Sequence, residues 1–441
     1  MAIAVCKLLI FAGKLFGKHG SSAPGMWALR IAPDLLAHLA PQVRKSTIAV
    51  CGTNGKTTTN NFIYTLLRAQ GSEPVCNRVG ANMLYGVVTA YAKAAKISSK
   101  LDADYACIEI DELSAVKVFQ HFKPDFIIMT NLFRDQLDRY GEIDLTYDSL
   151  RDAIALAKGA TLILNADDPL LAALGKQSDS KSVYFGVADI PAEIAAGAEN
   201  SLETKEGRFC RFCGKELVYE TYYYSQLGRY TCTSCDFSRP ALNYGADNIN
   251  LSEGITFDIG SETLTANYRG FYNIYNMLAA FAVLKQCGIS TTNINEALAG
   301  FRPQIGRMET FTVSGKPIVL NLSKNPAGFN LALTTVITDP REKAVVIVIN
   351  DNDQDGCDVS WLWDVDFERL CGVSEIVVSG LRANDMLVRM KYAGKEGVHL
   401  EPKVKDAISL ALNTESEIVY ALVNYTALFS TQELLRKMEQ A

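Results

Sequence analysis

Residues Ser46 to Gly52 (STIAVCG) form an apolar, strand-like run that ends on a glycine. After Thr53, Asn54 and a second glycine, Gly55, come Lys56 and three hydroxyls, Thr57, Thr58 and Thr59, opening a helix predicted from about Lys56 to Gln70. A strand that passes through a glycine turn into a helix N-terminus is built to hold a phosphate chain. Gly52 and Gly55 let backbone amides approach the oxygens, and the helix adds the positive end of its dipole. Lys56 neutralises β/γ charge, and the Thr57 hydroxyl can ligate Mg²⁺. The common form of this loop has four residues between its glycines. Only Thr53 and Asn54 stand there in this chain, a variant that keeps the Gly-Lys-Thr core. Thr53, Asn54, Gly55, Lys56, Thr57 and Thr58 are the candidate ATP-binding residues, with Lys56 expected on an exposed loop.

The strand–helix alternation continues. Further strands are predicted at Ala106 to Ile110, Phe126 to Met129, Ala160 to Leu164 and Ser182 to Phe185, giving a doubly wound parallel sheet with ligands at its carboxyl ends. Near Asn200 the sequence turns polar and Tyr-rich, and hydrophobic alternation resumes near Gly245, so 200–242 reads as an insertion. New strands after Phe301-Arg302-Pro303 (Pro317 to Leu322, Ala344 to Asn350, Glu375 to Ser379, Glu417 to Ala421) begin a second α/β unit. The expected plan is an N-terminal helical segment 1–45, a central domain 46–302 carrying the insertion, and a Rossmann-like α/β domain 303–441. The 441 residues suit two to four domains. Forty-three basic against 49 acidic residues, a net charge of -6, argue against a dedicated nucleic-acid binder.

The segment Ala2 to Gly17 superficially resembles a signal-peptide core but is interrupted by lysines, and no uninterrupted run of ~20 apolar residues occurs anywhere. Lys7, Lys14 and Lys18 share one helical face, with Ile3, Leu8, Ile10, Phe11 and Leu15 around the rest. Two readings stay open: a helix packed on the body of the protein, or an interfacial helix touching an acidic membrane.

Within the insertion, Cys210-Arg-Phe-Cys213 and Cys232-Thr-Ser-Cys235 form two C-x-x-C knuckles with 18 residues between them. That spacing lets four thiolates close on Zn²⁺, and all four positions are filled, which leaves no place for a reactive water. A structural zinc ribbon held by Cys210, Cys213, Cys232 and Cys235 is expected. Most of the other cysteines lie in apolar runs, as reduced thiols of a cytosolic protein do.

The variant loop GTNGKTTT resembles that of the Mur ligase family, ATP-dependent amide-forming enzymes that include the folylpolyglutamate synthases. Other segments agree in order. The strand Cys107-Ile-Glu-Ile-Asp-Glu112 ends where the family has a Mg²⁺-binding glutamate, which by position is Glu109. Thr130-Asn131 with Asp135-Gln136-Leu137-Asp138 resembles the family's TN…DHLD, and Asn165 to Pro169 its NADDP. Gly270 to Ala280 resembles a helix start whose Asn273 and Asn276 would meet the adenine, and Arg307 resembles an arginine near the γ-phosphate. Gln136 replaces the family's magnesium-binding histidine, and no lysine stands where a carbamylated one is expected. Only 45 residues precede Ser46, too few for the family's uridine-binding domain, so a small UDP-linked substrate is not expected.

In the second α/β unit, residues 351–368 hold seven carboxylates and two of the three tryptophans, Trp361 and Trp363. Read as a calcium loop, this segment has Leu362 where a bidentate glutamate belongs. A plain solvated turn is the bland alternative. With the cysteine quartet and Asn325-Pro-Ala-Gly-Phe-Asn330, the segment resembles the branch of the Mur ligases that amidates lipid II beside a separate glutaminase of the GatD type. That resemblance implies ATP, Mg²⁺ and Zn²⁺, D-glutamate converted to D-isoglutamine, and a cytoplasmic protein acting at the inner face of the membrane. It also implies an aspartate of this turn completing the partner's Cys-His pair, with Asp351 the first choice and Asp355 the second. The only histidines are His19, His38, His121 and His399, none in a motif with a nucleophilic cysteine, so glutamine use requires the partner. The rival readings are an amino-acid ligase of the folylpolyglutamate-synthase type and, outside enzymes, a zinc-ribbon P-loop protein that binds nucleic acid.

Overall fold

The computed structural model describes residues 1–15, 21–77, 81–135, 142–191, 206–252, 254–267, 270–291, 294–299, 301 and 308–440. Three short helices, α1 (Ala2–Leu15), α2 (Ala23–Ile31) and α3 (Leu35–Leu39), precede the first strand, β1 (Ser46–Cys51). Around β1 a nine-stranded sheet is built in the order β11-β10-β9-β6-β5-β4-β1-β3-β2. Its strands are β2 (Val75–Cys76), β3 (Tyr105–Glu109), β4 (Phe126–Met129), β5 (Thr161–Asn165), β6 (Ser182–Val187), β9 (Tyr244–Asn250), β10 (Ile255–Ile259) and β11 (Glu262–Ala266). The run from β2 to β9 is parallel, and β10 and β11 extend it antiparallel.

Period-two alternation divides β1 between two cores. Ala49 and Cys51 face α1–α3 and α5 (Leu84–Ala94), whereas Ile48 and Val50 face α4 (Lys56–Ala69) and the helix Tyr272–Gln286. That last helix is buried from Asn273 to Leu284, which accounts for its lack of a polar face. The insertion folds as an antiparallel hairpin, β7 (Leu217–Tyr224) with β8 (Leu227–Cys232), and the chain re-enters the main sheet at β9.

A second sheet runs β12-β13-β17-β14-β15-β16. Its members are β12 (Glu309–Val313), β13 (Lys316–Leu322), β14 (Lys343–Val348), β15 (Glu375–Ser379), β16 (His399–Leu400) and β17 (Ile418–Val423). Only β12 pairs antiparallel. β14 and β17 are buried at every position, as central parallel strands covered on both faces must be. No helix among the described residues is long and apolar enough to cross a membrane.

Candidate active site

The loop after β1 is pinned between two neighbours, and both glycines are steric requirements. Gly52 has φ +119°, and a Cβ there would lie 2.3 Å from Thr130 Oγ1. Gly55 has φ +87°, and its Cβ would fall 2.1 Å from Asn276 Oδ1. Thr130-Asn131 at the end of β4 holds the loop from the other side. The Asn54 amide donates to Asn131 Oδ1 (2.8 Å), and Asn131 Nδ2 and Thr130 Oγ1 donate to the Asn54 carbonyl (3.0 and 2.7 Å). Thr57 and Thr58 follow Lys56 in the first turn of α4.

Lys56 departs from expectation. It is buried, 7% exposed, because its ammonium folds back against Glu112 Oε1 at 2.8 Å and donates to the Gly52 and Thr53 carbonyls (2.5 and 3.2 Å). Burial alone would lower its pKa, but Glu112, Asp111 and Glu109 outweigh that and hold it charged, above the usual lysine range. Register brings the acids here: Val50 of β1 lies opposite Glu109, the last residue of β3. Glu109 accepts from Asn82 Nδ2 at 3.0 Å, while its buried Oε2 has no hydrogen-bond partner. Burial raises its pKa against the pull of Lys56. An orphaned, buried carboxylate oxygen at a phosphate loop fits a divalent cation, which Glu109 and Thr57 would hold.

Asn273 and Asn276 are both buried. Asn276 Nδ2 donates to Asn273 Oδ1 at 2.9 Å, and Thr59 Oγ1 donates to Asn276 Oδ1 at 3.3 Å, which sets Asn276 against the loop beside Gly55. Arg307 and Gln136 lie outside the described residues.

Sequence reasoning missed how the second sheet reaches the loop. Asn325 Nδ2 donates to Asn54 Oδ1 (3.1 Å), and Asn325 Oδ1 caps the helix Pro326–Thr338 by accepting from the Gly328 amide (2.8 Å). Lys324 Nζ pairs with buried Asp135 at 2.7 Å, holding that carboxyl below its usual range despite burial. At the next turn of the same helix, Asn330 Oδ1 accepts from the Asp366 amide (2.8 Å). The motif Asn325 to Asn330 therefore ties the phosphate loop to the acidic turn. Arg134, also unforeseen, ion-pairs with Glu206 (2.9 Å) of the insertion and with Asp364 (3.3 Å) of the acidic turn.

In that turn Asp351 follows β14 and pairs with Arg382 at 2.7 Å while staying part-exposed. Asp355 is buried, accepting from the Thr426 amide (2.8 Å) and its hydroxyl, and burial raises its pKa against those bonds. Trp361 is in the core against Phe329, and Trp363 is exposed beside Tyr392.

The four cysteines converge. Their sulfurs lie within 4.8 Å of one another, with Cys210–Cys235 at 3.6 Å and Cys213–Cys232 at 3.5 Å. These separations are far too long for disulfides and near the ~3.8 Å expected between thiolates around tetrahedral Zn²⁺. Four residues beyond Cys235, Arg239 enters the main sheet. It pairs with Asp167 at 2.6 Å, and that carboxylate also accepts from Tyr275 Oη (2.8 Å) and the Val187 amide (2.8 Å). Gln226 in the hairpin turn donates to the Leu132 carbonyl (2.6 Å) beside Asp168. Asp168 caps the helix Pro169–Gln177 and accepts from the Leu132 amide.

Comparison with known proteins adds to this geometry. Residues 50–233 match the model of the Mur ligase middle domain, and residues 322–428 match that of the MurT ligase C-terminal region. The chain is 35% identical over 439 residues, 99% of its length and 97% of the relative's, to the lipid II isoglutaminyl synthase (glutamine-hydrolyzing) subunit MurT of Staphylococcus aureus. The chain belongs to the MurT family. A MurT subunit of Streptococcus pneumoniae is 33% identical over 95% of this chain and 92% of its own. As a Mur ligase, this MurT-family chain is an ATP-dependent ligase. Its fold extends beyond the family: a pseudomurein peptide ligase type C from Methanothermus fervidus superposes with a TM-score of 0.72 at 23% identity, covering 90% of this chain and 79% of that one. MurF of Thermotoga maritima, solved in complex with ADP, gives 0.65 at 14% identity, covering 94% and 84%.

Proposed function

We propose that the chain is the synthetase subunit of a glutamine-dependent amidotransferase that converts the α-carboxylate of D-glutamate in the lipid II stem peptide to D-isoglutamine. The single observation that carries this reading is the near full-length relationship to subunits named for that reaction, acidic turn included. A carboxylate does not condense with ammonia unaided, because its oxygen is a poor leaving group. The carboxylate oxygen attacks the γ-phosphorus of ATP, ADP departs, and an acyl phosphate forms. Ammonia then attacks the carbonyl carbon and inorganic phosphate leaves. Lys56 and Arg307 offset charge on the phosphoryl oxygens. Mg²⁺ held by Thr57 and Glu109 would add charge neutralisation there. Lys56 has to exchange its Glu112 partner for phosphate, and the buried acids keep it protonated for that role. Thr53, Asn54, Gly55 and Thr58 complete the phosphate cradle, and Asn273 and Asn276 flank it on the adenine side. Zn²⁺ on Cys210, Cys213, Cys232 and Cys235 is structural.

Ammonia comes from a separate cytoplasmic glutaminase of the GatD type. Asp351 is the residue we assign to its Cys-His pair, since it is part-exposed at a strand end, whereas Asp355 is buried and saturated by Thr426. The test is direct. Purified chain, lipid II and ATP with ammonium should give the acid-to-amide mass change, and glutamine should replace ammonium only when the glutaminase is added. A product heavier by an amino-acid residue, formed with glutamate, would establish the folylpolyglutamate-synthase type of ligation instead.

A further inference from the structure

Helix α1 is apolar on two opposite faces. One face packs into the body of the protein through Ala2, Ile3 and Cys6, against α2 and α5. The other carries Leu8, Phe11 and Leu15 at i, i+3 and i+7, a single stripe whose side chains are 65%, 62% and 70% exposed. On the adjoining α2, Trp27 and Ile31 are exposed as well, with the Arg30 guanidinium 4.8 Å over the Trp27 ring. Exposed Met83 and Tyr85 open α5, which α2 approaches so closely that a Cβ on Gly25 would lie 1.9 Å from the Tyr85 carbonyl oxygen. Large apolar side chains left exposed on three helices that pack on one another mark a binding surface rather than scattered exposure.

Charge says what kind of surface. No acidic residue occurs before Asp34, although the chain as a whole carries a net charge of -6. Lys7, Lys14 and Arg30 are therefore a local excess of positive charge beside the apolar stripe. A second copy of the chain would set Lys7 and Lys14 against the same lysines with no carboxylate on either helix to pair them. An anionic bilayer satisfies both features at once: acyl chains take the leucines and the aromatics, Trp27 suits the headgroup level, and the lysines meet lipid phosphates.

We propose that the face formed by α1 and α2 is a docking surface for an anionic lipid bilayer. The surface adjoins the catalytic end of the main sheet. Asn82, which donates to Glu109, immediately precedes exposed Met83. Docking on this side sets the phosphate loop to work on a substrate that stays embedded in the membrane.

The test uses the full chain with phosphatidylglycerol vesicles and with phosphatidylcholine vesicles, both free of lipid II and ATP. Its outcome is therefore independent of the amidation reading. Co-sedimentation is expected with phosphatidylglycerol only, weakened by salt and accompanied by a blue shift of tryptophan fluorescence. Leu8→Glu/Phe11→Glu, at exposed positions outside the ATP site, should abolish binding while circular dichroism and ATP binding stay as in wild type. Lys7→Gln/Lys14→Gln should weaken binding by roughly fivefold per lysine. A wild-type chain that ignores phosphatidylglycerol, or a Leu8→Glu/Phe11→Glu variant that binds like wild type, overturns the proposal. So does a chain that ignores vesicles but self-associates until Leu8→Glu/Phe11→Glu makes it monomeric.

Discussion

Lys56→Met should cost stability as well as activity, because the lysine is the counterion of a buried acid cluster. Its side chain and that of Glu112 are 8% and 3% exposed and stand 2.8 Å apart, with Glu109 and Asp111 also buried nearby. Removing one partner of such a pair leaves an uncompensated charge, a loss of about 3–5 kcal/mol. Two carbonyl acceptors, Gly52 and Thr53, lose a donor too, at about 1 kcal/mol each if water does not replace it. At roughly 2–4 °C per kcal/mol for a unit of this size, the midpoint should fall by about 6–28 °C, the upper end applying if neither carbonyl regains a donor. The double variant Lys56→Met/Glu112→Gln removes the stranded charge and should recover most of the pair term, leaving only the carbonyl losses. Thermal and urea unfolding of wild type, the two single variants and the double variant close the cycle, with ATP turnover lost wherever Lys56 is replaced. A Lys56→Met midpoint equal to wild type, or a double variant no more stable than the single, refutes the assignment of Glu112 as the lysine's resting partner.

Cys213→Ser should lower the zinc content from about one ion per chain and reduce the unfolding midpoint, as read by metal analysis and calorimetry; a zinc-free, fully stable wild type would remove the site. Asp351→Asn should depress glutamine-driven amidation while ammonium-driven amidation survives, and equal loss of both rates would move the residue into the synthetase site. Burial pushes the Asp168 carboxyl up to about 6, against its Leu132 and Leu170 amide bonds. Its folded pKa exceeds its unfolded value of about 4, so its stabilising contribution is complete below pH 4 and lost as pH rises through 6. Between pH 4 and pH 7 the wild type should lose about 2 kcal/mol relative to Asp168→Asn in urea titrations; parallel pH profiles would refute that.

Features written in contiguous sequence were legible. The strand–turn–helix around Gly52 and Gly55, the C-x-x-C pairs and most strand positions follow from local rules, and the structure has them within a residue or two. Relations between distant residues were not. Lys56 looks like a surface cation in its own segment, and its burial depends on β3 delivering Glu112, 56 residues away. The bond from Asn54 to Asn325 spans 271 residues, and both are ordinary turn asparagines until the second sheet meets the loop. Asp351 and Asp355 are equivalent by composition, and only the approach of Thr426 buries one of them. The apolar residues around the lysine face of α1 were visible in sequence, but which of them the body of the protein covers was settled by packing.

The cysteine-bearing insertion and the helix Tyr272–Gln286 meet at one buried carboxylate. Arg239 leaves the insertion to neutralise Asp167, whose other oxygen receives the Tyr275 hydroxyl one residue before Asn276. If the cysteine knuckles unravel, Arg239 loses its anchor and a fully buried carboxylate loses its ion-pair partner at the carboxyl end of β5 in the main sheet. A local lesion at the four cysteines thereby becomes a remote one, felt where the helix Tyr272–Gln286 packs against the loop after β1.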